Sequence, residues 1–191
     1  MASVLKVDKL DPQSGTDLEI GTSGDTITIP SGATIVNSGT ATGFGGDNTP
    51  NFYAYNTNSQ VISTGADTAI IMASEVFDTA SAYNTSDGKY TIPSGGDGKW
   101  WFKSTIRMVG TGGIPARATI YIFKNASPYL RKETGGTGGN NTYSAINVSG
   151  LVEVVATDYI QVYFYQNGGA DMTLSRTGSG ECYFQGFKLI E

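Results

Sequence analysis

Hydrophobic and polar residues alternate with a period of two from Gly98 to Met108. That period is typical of a β-strand with one face in a core and the other face closer to water. The stretch from Gly88 to Pro93 shows the same alternation. Pro93 ends this strand pattern because proline cannot donate to a ladder of hydrogen bonds. Between them lies the turn-forming sequence Pro-Ser-Gly-Gly-Asp-Gly, so the region predicts a β-hairpin. The two sides of its second strand are Trp100, Phe102, Ile106 and Met108 against Trp101, Lys103, Thr105 and Arg107.

Short strand patterns recur from residue 52 onward, and no stretch has a helix pattern of useful length. In Tyr159–Tyr165 the apolar residues fall on one side, whereas Tyr183–Ile190 is apolar or aromatic on both sides. A strand that is apolar on both sides is covered by something on its outer side. About ten short strands with long turns predict an all-β, ten-stranded jelly roll of two sheets. Besides the hairpin, the predicted strands are Phe52–Tyr55, Gln60–Ile62, Ala69–Met72, Glu75–Phe77, Ala116–Lys124, Tyr143–Val155, Asp158–Tyr165 and Glu181–Ile190.

Residues 1–42 have a different pattern of short strand-like bursts, which Gly-Ser turns separate in the later part. The bursts are Leu5–Leu10, Asp17–Ile20, Asp25–Ile29 and Ala33–Asn37. Such short rungs cannot bury their own apolar faces, and a segment of this size cannot build a core in one chain. We expect a β-rich stalk in which three chains meet, although a flexible tail remains the alternative. The rung residues are Leu18, Ile20, Ile27, Ile29 and Ile35.

The clearest linker is the glycine-rich segment 43–51, which ends in Pro50-Asn51. We therefore divide the chain into a stalk (1–42), a linker (43–51) and a head domain (52–191).

Composition and charge exclude several function classes. The chain has 191 residues, a net charge of −5 and no basic run, so binding of nucleic acid through its phosphates is not expected. Charged residues make up only 15% and glycine is abundant, which favours an all-β fold with many turns. The first residues lack the pattern of a signal peptide, and no stretch is long and apolar enough for membrane insertion.

The sequence also lacks the groups that most catalytic sites use. It contains no histidine, which removes Ser-His-Asp and Cys-His pairs and histidine metal sites. The single cysteine, Cys182, falls in a predicted strand and is interpreted as a core residue. Asp87, Asp97, Asp158 and Asp171 fall in predicted turns and are interpreted as turn formers. We expect no enzyme and no cofactor; calcium is possible in principle but is not indicated.

The head resembles the complement component 1q globular domain, a branch of the tumour necrosis factor-like jelly rolls. Three motifs carry the resemblance in order: Phe77-Asp78, then Gly88–Pro93, then Gly98–Phe102. The closing strand, Cys182–Ile190, matches the family's ending of aromatic, glycine, aromatic and aliphatic residues. The resemblance covers residues 51–191 and implies a homotrimer. It implies that residues near the threefold axis, the expected trimer interface, include Phe52, Tyr90, Tyr183, Phe187 and Leu189.

The N-terminal segment resembles the stalks of small bacteriophage fibre proteins. The matching pieces are Leu5–Leu10, Ser14–Thr16 and Thr28–Thr34. This resemblance implies a virion protein made in a host cytoplasm, with the stalk attached to other virion proteins and the head bound to a host-surface glycan or protein. The alternative is a capsid decoration or head-fibre protein with a structural role and no receptor. A cellular signalling ligand is disfavoured because no signal peptide is evident.

Host contact, if it occurs, is expected at the loops of the head, because strand faces are occupied by the core and by other subunits. The long turns rich in Gly, Asn and Thr offer amides and hydroxyls, and nearby tyrosines could stack on a sugar ring. The candidate contact residues are Tyr129, Gly135, Gly138, Asn140, Asn141, Tyr143, Asn167 and Asp171.

Overall fold

The computed structural model describes Leu10 and residues 14–39, 48–109, 115–135, 143–174 and 180–189. The chain divides into two compact units, residues 1–44 and 45–191. Within the described residues there is no helix, and every strand lies in the second unit. The all-β prediction is therefore confirmed, and none of the described segments is a helix that could cross a membrane.

Thirteen strands occur in the described residues, three more than the sequence predicts. They are β1 (Asn51–Tyr55), β2 (Val61–Ile62), β3 (Thr68–Ala69), β4 (Ser74–Asp78), β5 (Tyr83–Asn84), β6 (Lys89–Thr91), β7 (Gly98–Val109), β8 (Arg117–Lys124), β9 (Ser127–Gly135), β10 (Tyr143–Val154), β11 (Tyr159–Gln166), β12 (Met172–Leu174) and β13 (Tyr183–Lys188).

The first sheet is organised around β7, which has partners on both sides. One side of β7 pairs with β10 along the whole length of both strands, from Val109 opposite Tyr143 to Gly98 opposite Val154. The other side pairs with β13 and, near Met108, with β12. The sheet continues from β13 to β1 and β4, and from β12 to β2, with all pairs antiparallel.

The second sheet has the order β5-β6-β11-β8-β9 and is also antiparallel. Strand β3 pairs with β11 on the same side as β6, but at Tyr163 and Phe164 rather than at Tyr159–Gln161. These two sheets confirm the predicted jelly roll.

The core between the sheets is dominated by aromatic rings. Phe52 stacks on Tyr90 with ring centroids 4.0 Å apart, and Trp100 stacks on Phe102 at 5.6 Å. The side of β7 that the sequence predicted to face the core is fully buried, as is the predicted apolar side of β11. These buried residues are Trp100, Phe102, Ile106, Met108, Ile160, Val162 and Phe164. Cys182 is buried as well, as predicted.

Gly186 explains the glycine in the closing strand. It lies opposite Phe52 on one neighbouring strand and opposite Phe102 on the other. A Cβ at this position would come within 2.5 Å of Phe102 Cδ1 and 3.0 Å of Phe52 Cε1. Only glycine leaves room for both rings in the core.

Strands β5, β9 and β12 were missed from the sequence. In β9 the reason is its exposure: only Leu130 and Thr134 are partly buried, so the strand shows no apolar alternation. Pro128 lies near its start, where a bulge shifts the register against β8. Proline and bulges are typical of the edge strand that β9 forms.

The first unit departs from its predicted strands. Residues 14–39 contain turns but no strand, and the burst Leu5–Leu10 lies almost wholly outside the described residues. The turns fall where the sequence placed them: Asp25 Oδ2 accepts the Thr22 amide, and Asn37 Oδ1 accepts the Gly39 amide. The predicted rung residues Leu18, Ile20, Ile27, Ile29 and Ile35 are 45–60% exposed. Residues 14–39 therefore form none of the predicted strands in one chain, and the three-chain stalk stays a prediction.

Candidate functional site

The outer face of the first sheet, the side away from the core, carries a group of large rings. We call it the aromatic face and define it by Tyr53 of β1, Phe77 of β4, Trp101 of β7, and Tyr183 and Phe187 of β13. The sheet register places them together, because Tyr53 lies opposite Phe77 and Trp101 lies opposite Phe187. Except for Phe77, each ring follows or precedes a buried residue, so the same alternation that builds the core also builds most of this face.

The rings form two connected groups. Tyr53 stacks on Tyr183 with centroids 5.3 Å apart and contacts Phe77 at 6.2 Å. Trp101 contacts Phe187 at 5.5 Å. Partial burial among these rings raises the pKa of the Tyr53 phenol, and the nearby Tyr183 phenol adds to the effect. The Tyr53 phenol therefore stays un-ionised near neutral pH, in keeping with the apolar character of the rings around it.

Water still reaches much of this face in a single chain. Phe77 is 47% exposed, and Leu151, which lies opposite Trp101 on β10, is 53% exposed. A hollow of about 250 Å³ opens beside Phe77 and Phe187 and is also bordered by the Gln185 side chain. Gln185 and Lys103, which lie opposite each other on β13 and β7, separate the two groups of rings. Exposed apolar groups of this size mark an interaction surface.

The predicted trimer-interface residues separate into two groups. Tyr183 and Phe187 belong to the aromatic face, and Leu189 is half-buried beside it, with its amide donating to the Lys99 carbonyl at 2.8 Å. Phe52 and Tyr90, in contrast, are 1% and 0% exposed because they stack on each other in the core. The expectation that these two residues meet another subunit is wrong.

The structure separates the predicted host-contact residues as well. Gly135, Asn167 and Asp171 lie at one end of the head: Gly135 pairs with Arg117, and Asn167 Oδ1 accepts the Arg117 amide at 2.7 Å. Asp171 Oδ1 accepts the Thr64 amide at 3.1 Å, and Thr64 Oγ1 accepts the Gly169 amide.

The remaining predicted contact residues are not in that group. Tyr129 lies near the opposite end of β9, where Ser127 pairs with Lys124, so it is not beside Gly135 as expected. Tyr143 begins β10, opposite Val109. Gly138, Asn140 and Asn141 lie outside the described residues.

The turn aspartates mainly hold the backbone. Asp87, Asp97 and Asp158 accept amides of Lys89, Ala156 and Val155 respectively, at 3.1, 2.7 and 2.9 Å. Asp171 does the same for Thr64. Among the described residues no three His, Cys, Asp or Glu side chains come together as a metal site would require.

Sequence reasoning missed Tyr53, Phe77 and Trp101 as members of the aromatic face. The signal was present in β7, where Trp101 is the residue between two core positions. In β1 the sequence Asn-Phe-Tyr-Ala-Tyr is aromatic on both sides, and only pairing with β13 and β4 shows which side is outer.

Comparison with known proteins finds similarity in structure but not in sequence: no family profile and no curated protein matches the chain. The globular domain of zebrafish complement 1qA protein aligns with a TM-score of 0.53 at 10% identity, covering 74% of this chain and 98% of that domain. Murine APRIL aligns at 0.56 and 11% identity, covering 73% and 98%. Eiger TNF from S. frugiperda aligns at 0.57 and 11% identity, covering 74% and 92%.

These likenesses define the class of fold. The head is a jelly roll of the complement 1q and tumour necrosis factor type, as its motifs implied. At this level of identity the likeness describes the fold and does not extend to activity.

Proposed function

We propose that this chain is the subunit of a non-enzymatic homotrimeric binding protein, a short bacteriophage fibre whose jelly-roll head binds the host cell surface. The observation that carries the proposal is the aromatic face, with five large rings on the outer side of one sheet. An aromatic side chain buries about 150–250 Å² when it is covered, and each Å² contributes about 25 cal/mol. Four of the five rings are already partly buried in one chain, so covering this face contributes through their remaining exposed area together with Phe77 and Leu151.

The first unit supports the same assembly. Its aliphatic rung residues are exposed in one chain, and three parallel copies could bury them against one another. The placement in a phage particle rests on the resemblance of Leu5–Leu10, Ser14–Thr16 and Thr28–Thr34 to fibre stalks. The binding role rests on the fold type together with the absence of histidine from the sequence.

Sedimentation of the full chain tests the homotrimer. We expect a trimer at micromolar concentration, and we expect Phe187→Asp to yield monomers, because three carboxylates would otherwise be desolvated together. The matched control is Tyr165→Asp on the outer face of the second sheet, where Arg117 lies over the ring at 5.1 Å and can pair with the new carboxylate. A stable wild-type monomer, or a trimer that survives Phe187→Asp, would contradict the proposal.

The location in the particle is tested separately. Electron microscopy of intact particles labelled through this protein should place it at the tail, with the head pointing outward. A uniform distribution over the capsid, together with no binding of the purified chain to host cells, would support the decoration role instead.

A further inference from the structure

A groove of about 510 Å³ opens where the edges of the two sheets meet, and we call it the edge groove. The turns β6–β7, β8–β9 and β10–β11 come together there, at the end of the head opposite to Gly135 and Asn167. Its volume is within the range of small-molecule sites, about 300–1,000 Å³. The lining residues are Asp97, Gly98, Lys124, Tyr129, Glu153, Val154 and Val155.

Hydrogen bonds across the three turns hold the groove in shape. Asp97 Oδ1 accepts the Ala156 amide at 2.7 Å, which ties the first turn to the third. Asp158 Oδ2 pairs with Lys124 Nζ at 3.0 Å and accepts the Val155 amide at 2.9 Å. Lys124 Nζ also donates to the Glu153 carbonyl at 2.8 Å. The ammonium group of Lys124 is thereby fixed at the wall of the groove, with one of its three donors left over.

The charge at the groove is negative on balance. Burial acts to raise the pKa of Asp158, but the hydrogen bonds from Val155, Asn125 and Lys124 outweigh it and lower the pKa below its ordinary value. Asp158 therefore stays ionised and neutralises Lys124, while the carboxylates of Asp97 and Glu153 add two further negative charges. An anionic ligand would be repelled.

Strained backbone surrounds the groove. Asn125, Ala126 and Thr157 have φ values of 49°, 64° and 75°, in the left-handed region that non-glycine residues rarely adopt. Thr157 is β-branched, and its amide is held by the Ile92 carbonyl at 2.9 Å. Asn125 and Ala126 form the two-residue turn between β8 and β9, a connection in which positive φ is usual, so Thr157 is the residue whose strain the surrounding structure holds.

The lining combines an exposed ring with groups that bind hydroxyls. Tyr129 is 50% exposed and Val155 is 58% exposed, so the groove offers an apolar surface to a ligand. The carboxylates of Asp97 and Glu153 can accept hydrogen bonds from hydroxyl groups, and the Lys124 ammonium group can donate one. A sugar ring has this complementary character, with C–H groups on its faces and hydroxyls around its edge.

We propose that the edge groove binds an uncharged saccharide ring. The ring stacks on Tyr129, and the carboxylates of Asp97 and Glu153 accept hydrogen bonds from its hydroxyl groups. This inference rests on the proposed binding role and names the ligand class, but it does not depend on the trimer. It also moves the expected contact from the Gly135 end of the head to the end where Tyr129 lies.

Saturation-transfer NMR of the full chain tests the proposal. The probes are millimolar methyl glycosides of glucose, galactose, mannose and N-acetylglucosamine, with N-acetylneuraminic acid as the acidic comparator. We expect at least one neutral glycoside to receive saturation through its C–H groups and the acidic sugar to receive none. Tyr129→Ala should weaken binding about tenfold, because contacts with an aromatic ring carry much of the energy.

Matched variants separate stacking from general damage to the fold. Tyr129→Phe keeps the ring and should retain binding, as should Tyr121→Ala, which removes a ring from the outer face of the second sheet. Glu153→Gln should weaken binding severalfold, since a charged acceptor makes the stronger hydrogen bond.

Three outcomes would overturn the saccharide site: no neutral glycoside binds, the acidic sugar binds equally well, or Tyr129→Ala leaves binding unchanged. Sedimentation of the same samples shows separately whether the trimer exists, so failure of one proposal is distinguishable from failure of the other.

Discussion

The two faces of the first sheet carry similar side chains but have different surroundings. The inner face holds Phe52, Phe102 and Phe184 among the rings of the same chain, and all three are buried. The outer face holds Tyr53, Trp101 and Tyr183 one residue away on the same strands, where each contacts another ring of that face but remains partly exposed. Aromatic content therefore does not distinguish a core from an interface; the distinction lies in which side of each strand the second sheet covers.

The largest expected effect comes from overfilling the inner face. Gly186→Val would place its side chain against Phe102 and Phe52, where a Cβ alone already comes within 2.5 Å of a ring atom. We expect a loss of about 3 kcal/mol or more in the free energy of unfolding, because such overpacking forces rings and backbone to move. Thermal denaturation followed by circular dichroism measures it.

Gly180→Val is the control for this change, since a Cβ at Gly180 meets nothing within 4 Å. Equal melting temperatures for the two variants would show that the rings of the inner face are not tightly packed around Gly186.

Substitutions on the outer face should weaken association of the chains rather than destabilise the fold of one chain. Trp101→Ser removes a large ring from the aromatic face, and interface tryptophans commonly contribute about 2 kcal/mol or more to binding. We expect the trimer to dissociate at higher protein concentrations than the wild type, with the melting temperature becoming more dependent on concentration. Analytical ultracentrifugation over a dilution series measures the shift.

Thr105→Ser, on the same side of the same strand, should leave the association unchanged. If Trp101→Ser lowers the stability of the fold but leaves the trimer dissociation constant unchanged, Trp101 contributes to the core rather than to association.

The smallest expected difference is between two tyrosines that pack against the inner face. The Tyr83 hydroxyl accepts the Met72 amide at 2.9 Å, so Tyr83→Phe leaves a buried donor without a partner and should cost about 1–3 kcal/mol. The Tyr90 hydroxyl is buried with no hydrogen-bond partner among the described residues, so Tyr90→Phe should be neutral or slightly stabilising. Urea denaturation compares the two, and an equal loss in both would refute the difference.

Strand alternation was enough to predict most of the fold. The large rings of β7 and the branched residues of β11 identify their buried sides without any tertiary information, because the side chains of a strand alternate strictly. The motifs around Gly88 and Gly98 then indicated the jelly roll. Strand β9 could not be found in this way, since its exposed residues leave no alternation to detect.

The aromatic face could be predicted only in part, because its membership depends on the register of the strand pairs. Tyr183 and Phe187 share a side within one strand, which the sequence shows directly. Whether Phe52 shares that side depends on its pairing with Gly186, which brings it to the opposite face. The predicted position of Tyr129 beside Gly135 was wrong for a similar reason. The two residues lie near opposite ends of β9, a strand that was not recognised from the sequence.

The position of β13 has a consequence for biosynthesis. It is the last of the thirteen strands to leave the ribosome, yet it lies between β1 and β7 in the middle of the first sheet. At a translation rate of about 5–20 residues per second, β13 follows β7 after a delay on the order of ten seconds. During that time the edges of β1 and β7 that pair with β13 have no partner strand. A nascent chain therefore cannot close this sheet until β13 has been translated, and a stop codon anywhere before Tyr183 would remove the strand that joins its two parts.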